Sequence, residues 1–368
     1  MLIDTGVFMS LANILYVIVF YILLCLSLLN YDKRNIFSLY LTFTTLLIAS
    51  LFLGFRSFDS GKDTMGYVKY YAEGFNNFDF EIGYYYISKL LSLFFSPSVY
   101  LFTIAFLSLI MLVIASAIWR IKNISLVLIV YIGLLPGLDM LTNTIRNGLA
   151  LNLSTLLVTL SIHKTNFKFL PFLSVSIHGS TLLTAALRLV TIKRDLYRIN
   201  LWLLGIAVFA LFLFSYINLD VQKLASAYNR GDDIISKLAR YIILDKNLLA
   251  ESVKNYFKII AVAITLPYIF GIVYSKEIKL DIRLHMLMFI GVSLLLFYSL
   301  LSFIEYAFRF MYLSYPILVI SAVYCIEKYI RSEIIIIIFY FIIVLLAGVT
   351  YSTSTFSSYK LLFLNFAQ

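Results

Sequence analysis

The sequence predicts an all-α, polytopic integral membrane protein with about 10–12 transmembrane helices and an amphipathic segment on its outer face. Three observations carry that expectation. Of 368 residues, 62% are hydrophobic and 13% charged, against about 45–50% and roughly 25% in soluble domains. The apolar residues gather in runs of about 17–22, long enough at 1.5 Å per residue to cross a ~30 Å hydrocarbon core. The runs are continuous rather than alternating. That selects helices over a closed barrel, the other architecture whose backbone satisfies its own hydrogen bonds in lipid.

In chain order the runs are 11–29, 36–54, 99–118, 124–138, 145–162, 168–190, 200–217, 258–274, 284–302, 310–326 and 334–350. A weaker stretch, 83–96, is short for a span and is interrupted by Lys89. The first run lacks a preceding basic region, and the residues after Cys25 do not resemble a cleavage site, so it is read as a retained span. No Gly/Ser linker, low-complexity tract or repeat divides the chain, and residues 1–368 are read as a single multi-pass domain. The two cysteines, Cys25 and Cys325, lie in or beside apolar runs and exclude a disulfide framework.

Lys and Arg number 29 against 19 acidic residues, a formal charge of +10. No basic stripe with interleaved aromatics accompanies that surplus, so nucleic acid is not expected as a partner. Cytoplasmic loops of membrane proteins are enriched in Lys and Arg. Placing the turns around Lys33-Arg34, Lys276–Arg283 and Lys328–Arg331 in the cytoplasm puts the N-terminus outside and leaves two longer outer loops, 55–82 and 218–257. The middle of the chain has two solutions. If 83–96 lies flat and 168–190 re-enters, then Arg120, Lys122, Lys164 and Lys168 fall inside; if both cross, they fall outside. The charge rule favours the first. Within 218–257, Leu224, Tyr228, Ile234, Ile235, Leu238, Tyr241 and Ile242 recur at helical spacing among charged residues, the pattern of amphipathic helices on a leaflet surface.

An ionisable residue inside a span costs several kcal/mol, roughly, unless it is paired or wet. Those present here cluster at the outer ends of spans and in the first outer loop: Arg56 to Tyr67, Glu81 to Tyr84, Arg146-Asn147, His178 to Ser180, and Arg309 to Tyr312. These clusters resemble the motifs of the EpsG-like group of Wzy-type polysaccharide polymerases. The likeness comprises Arg56, then Gly61-x-Asp63 with Tyr67; Glu81-Ile82-Gly83-Tyr84, with Ile where the family shows Pro; Arg146-Asn147 with Ala150, Asn standing for Gln; His178-x-Ser180; and Arg309-x-x-Tyr312. It covers most of the chain, in order.

The resemblance implies a membrane glycosyltransferase that joins polyprenyl-pyrophosphate-linked repeat units into O-antigen, capsule or related surface polysaccharide. It would work on the outer face of the bacterial cytoplasmic membrane. Its partners would be the lipid-linked glycans and membrane lipid, with room for a chain-length regulator. The polyprenyl pyrophosphate is substrate, and no other cofactor is expected. A departing pyrophosphate needs cations placed where its charge develops, and Arg binds phosphate oxygens through a planar fork. Arg56, Arg146 and Arg309 are the candidates for that clamp. Asp63, Glu81 or His178 could act as general base, and Tyr67, Tyr84 and Tyr312, with Asn147 and Ser180, would bind substrate.

Duller readings stand beside these. Arg146 and Arg309 could snorkel at helix ends, Glu81 could only favour a helix N-terminus, and His178 could only bond a neighbouring carbonyl. His163 and His285, beside loop charges, are read as structural. No Gly-rich phosphate loop, His-Glu-x-x-His, Cys/His cluster or Gly-x-Ser-x-Gly occurs, so ATP-driven transport and a metal site are not expected. The alternatives are a lipid-linked sugar flippase or other transporter, and another outer-face transferase, an O-antigen ligase or an acyltransferase.

Overall fold

A computed structural model describes residues 11–30, 35–58, 60, 63–73, 80–164, 167–190, 196–216, 251–301, 308–352 and 356. Gly61 and Lys62 of the first motif, and residues 218–250 of the expected amphipathic segment, lie outside the described residues. Among those described, every regular element is helical. The helices are α1 (Leu11–Leu29), α2 (Ile36–Gly54), α3 (Thr64–Ala72), α4 (Ile82–Ser92), α5 (Pro97–Ile118), α6 (Ile124–Gly133), α7 (Leu135–Thr142), α8 (Ile145–His163), α9 (Leu182–Val190), α10 (Leu196–Tyr216), α11 (Glu251–Tyr274), α12 (Ile282–Leu300), α13 (Phe308–Tyr329) and α14 (Glu333–Ser352). Among the described residues eight are long and apolar enough to cross a membrane, and nine crossings result if α6 and α7 form one bent span. The protein is therefore an all-α, multi-pass membrane protein. Helix α10 packs along α12, and its described apolar part, Arg198–Leu211, is shorter.

Two runs that read as single spans are broken. The run 124–138 bends by 83° between α6 and α7. The cause is local: Leu134 is extended and Pro136 sits in the first turn of α7, where it has no N–H to bond the Ile132 carbonyl and its ring would clash with that carbonyl in a continuous helix. Gly137 completes the bend, because a Cβ there would lie 1.9 Å from the Tyr131 carbonyl oxygen. The run 168–190 is a 3₁₀ helix (Leu170–Ser176), an extended residue at His178, a short 3₁₀ turn (Gly179–Thr181) and α9. Ser180 bonds Asn147 at the start of α8, while Arg188 bonds Ser161 near its end. The segment thus rises beside α8 and returns along it, a re-entrant hairpin rather than a crossing. The stretch 83–96 becomes α4, 11 residues long, too short to span.

Side-chain bonds between helix ends give the bundle two distinct ends. At one, Glu327 accepts from the Lys122 and Asn123 N–H groups at 2.6 and 3.0 Å, a carboxylate at the start of α6 where the helix dipole favours it. Asn123 reaches back to the Ser27 and Asn30 carbonyls at 2.9 and 3.2 Å. Asp281 caps α12 through the Leu284 N–H at 3.1 Å and accepts from Tyr324, Lys328 and Tyr329 at 2.9, 3.0 and 2.5 Å. Burial pushes its carboxyl up, but the Tyr329, Leu284 and Lys328 hydrogen bonds outweigh it and hold the group below its ordinary value. This end carries Arg120, Lys122, Lys164, Lys276, Lys279, Arg283, Lys328 and Arg331. The other end carries Arg56, Asp63, Glu81, Arg146, His178 and Arg309.

Candidate active site

At the end opposite the basic turns, three segments far apart in sequence meet at Glu81. Glu81 is the residue before α4, held extended at φ −61°, ψ 147°. One carboxylate oxygen accepts from Arg146 Nη1 at 2.8 Å, in the first turn of α8. The other accepts from the Gly179 N–H at 3.1 Å and lies 4.0 Å from His178 Nδ1, at the tip of the re-entrant hairpin. The three side chains are partly open, with 31% of Glu81, 20% of Arg146 and 18% of His178 exposed. Arg146 also stacks on Phe80, its Cζ 4.5 Å from the ring centroid, which fixes the plane of the guanidinium.

Close backbone approach makes this meeting possible. A Cβ on Gly83 would lie 2.5 Å from Ser176 Oγ and 2.7 Å from Ser176 O. Only glycine lets α4 sit against the hairpin here. The extended backbone of His178 lets its Nδ1 accept from the Ser180 N–H at 3.1 Å. In the neutral ring the proton then sits on Nε2, so the free edge of the imidazole is a donor. Ser180 Oγ donates to Asn147 Oδ1 at 3.1 Å, so Asn147 and Ser180 lock the hairpin tip to α8. The charges of Arg146, Glu81 and Arg309 all act on the His178 ring, which brings the late Arg309 motif into the same field. Arg309 itself is exposed at the start of α13.

Tyr67 joins this cluster to a second. It is buried on α3, and its ring packs against Phe80 at 5.7 Å and Tyr84 at 6.2 Å. Burial pushes its hydroxyl up to about 12; the Arg146 and Arg56 cations pull it down, and Asp63 and Asp139 push it further up. All four charges therefore lie around one phenol. Asp63 is exposed at the start of α3, with its N–H donating to Asn143 Oδ1 at 3.0 Å. Tyr312 donates to Asp139 Oδ2 at 2.9 Å, both residues buried.

Two expected site residues face elsewhere. Arg56 is 1% exposed and donates to the Leu53 and Leu141 carbonyls at 2.6 and 3.4 Å and to Thr64 Oγ1 at 3.3 Å. It ties the end of α2 to the end of α7 and the start of α3. Tyr84 is fully buried, with its hydroxyl 2.5 Å from that of Tyr100, so it supports the floor beneath Phe80. Asp139 was not singled out in the sequence. Its signal was present: it is the one acid in the apolar stretch 124–142, a position where a carboxylate asks for a reason. Phe80 and Asn143 gave no such signal. No group of three or more metal-ligating side chains occurs among the described residues.

The family model described as the EpsG family matches residues 38–366, a stretch that contains every residue of this cluster. No curated protein and no solved structure matches the chain.

Proposed function

The chain belongs to the EpsG family of Wzy-like polymerases, and from that premise we propose that it extends a polysaccharide by transferring a growing glycan from polyprenyl pyrophosphate to a lipid-linked repeat unit. The observation that supports this reading most is the convergence on the Glu81 carboxylate of Arg146 and the Gly179 N–H, both hydrogen-bonded to it, with the His178 ring 4.0 Å away. The acceptor hydroxyl attacks the anomeric carbon of the donor glycan. The bond from that carbon to the phosphate oxygen breaks, and polyprenyl pyrophosphate leaves with the electron pair. Arg146, oriented by Glu81 and Phe80, sits where the leaving charge develops, and the Arg309 charge acts on the same cluster. The His178 Nε2–H donates to the same phosphate oxygens. Both Glu81 oxygens are engaged, and His178 Nδ1 is an acceptor already in use. Asp63, exposed at the start of α3 and among the charges that act on Tyr67, takes the hydroxyl proton. Tyr312, buried and bonded to Asp139, supports the site from beneath.

In the bacterial cytoplasmic membrane proposed for it, the charge rule supports the basic end inside and this cluster facing out. A strain lacking the protein tests the reading: a single repeat unit left on its carrier or core supports it. No unit outside the membrane would point to a flippase, and long unattached polymer to a ligase.

The positioning of Glu81 has its own test. Gly83→Ala should push the hairpin from α4 and part Glu81 from the Gly179 N–H. Chain extension should then fall by as much as about 100-fold, with normal abundance in the membrane. Unchanged polysaccharide ladders would show that this close approach does not set the site.

A further inference from the structure

At the basic end, the turn after α5, the last turn of α8, the Glu277–Arg283 turn and the end of α13 enclose a cavity of about 730 Å³. Its wall is net cationic. Lys328 and Asp281 neutralise each other at 3.0 Å, which leaves Arg120, Arg283 and Glu277. Arg120 and Arg283 make no hydrogen bond or ion pair with another side chain among the described residues, yet both their charges act on the His163 ring in the same wall.

Arg120 is held there against its backbone preference. Its φ is 58°, and it is the only non-glycine residue with positive φ among those described. Its N–H donates to the Ala117 carbonyl at 2.9 Å and the next N–H to Ser116 at 3.2 Å. This is the helix-ending turn whose left-handed position ordinarily takes glycine. An arginine there carries a steric penalty that glycine avoids. Non-glycine residues in that region cluster at ligand sites, where the side chain has a use.

The mouth is apolar on one side. Leu280 and Ile282 line the same cavity with 81% and 49% of their surface exposed. They flank the start of a spanning helix, at the depth where lipid headgroups meet acyl chains. A soluble anion gains nothing from such a lip, whereas a lipid gains from both parts.

We propose that this cavity binds the phosphate headgroup of an anionic membrane lipid, with Arg120 and Arg283 on the phosphate oxygens and Leu280 and Ile282 against the acyl chains. Basic pockets between helix ends suit such headgroups. The proposal needs only the membrane embedding of the bundle and is independent of the glycosyl transfer at the opposite end.

Native mass spectrometry of the full-length protein in non-ionic detergent tests it, with dioleoyl phosphatidylglycerol, dioleoyl phosphatidylcholine and inorganic phosphate as probes. One saturable phosphatidylglycerol per chain is expected, with phosphatidylcholine bound more weakly. Arg120→Gly and Arg283→Ala should each weaken retention roughly fivefold. Arg331→Ala, at the same end but outside this cavity, should leave it unchanged. Arg120→Gly also relieves the left-handed backbone, so it should melt no lower than the parent, which separates lost binding from lost folding. Equal retention of both lipids, or retention unchanged in Arg120→Gly, would overturn the proposal. Displacement of the lipid by millimolar inorganic phosphate would make this a free-anion site and overturn the lipid assignment.

Discussion

Arg146→Ala is expected to reduce chain extension by about 10²- to 10³-fold while the protein stays in the membrane at near-normal abundance. The abundance half of that expectation follows from exposure: Arg146 is 20% exposed at the mouth of α8, so its removal opens no closed cavity. The activity half follows from geometry. Glu81 and Phe80 grip one Nη and one face of the guanidinium, which orients the rest of the fork without using it up. Arg146→Lys should recover little, because an ammonium keeps the charge but loses the planar pair of donors. Glu81→Gln should fall between parent and Arg146→Ala: the amide can still accept from Gly179 or from Arg146, but without charge. Extension of a lipid-linked repeat unit by membranes matched for protein content reads all three. Normal extension by Arg146→Ala would remove Arg146 from the chemistry and leave the Glu81 pair as a structural clasp.

The sequence made the class of the fold and the polar residues that cluster at Glu81 legible for one physical reason. Lipid penalises charge, so each Arg, Glu or His retained near a span end stands out, and Glu81, Arg146 and His178 were found that way. What it concealed was direction. Arg56 and Arg146 occupy similar places in their motifs, yet Arg56 turns inward to the carbonyls at two helix ends while Arg146 opens to the site. Composition cannot distinguish those cases, because both satisfy the same charge in different ways. The break at Leu134–Pro136 was hidden similarly, since an apolar count over 124–138 is blind to where the helix axis turns. The re-entrant path of 168–190 was the better-resolved case: the charge rule needed Lys164 and Lys168 on the same end as Arg120, and the Ser180 and Arg188 contacts fulfil that requirement.

Arg56→Ala is expected to fail differently from Arg146→Ala, by loss of folded protein. Leu53 lies in the last turn of α2 and Leu141 in the last turn of α7, where carbonyls have no partner within their own helix. Arg56 supplies donors to both and places a cation at the negative ends of two helix dipoles. Its Nε also holds Thr64 Oγ1, which in turn donates to the Thr142 carbonyl at 2.9 Å. Truncation leaves two buried carbonyls unsatisfied at roughly 1–3 kcal/mol each, before any cost of the vacated volume. Against a total stability of about 5–15 kcal/mol, that is enough to lower membrane abundance and the melting temperature in detergent. Arg56→Lys should restore part of the abundance, since one ammonium can reach one of the carbonyls but cannot also hold Thr64. A phosphate-binding role makes the opposite forecast, in which Arg56→Ala accumulates normally and melts like the parent but extends no glycan. Arg56 is 1% exposed, so the substrate could reach it only if α3 and α7 moved apart. The same Arg56→Ala sample, weighed for abundance before activity, decides between a helix-end tie and a clamp.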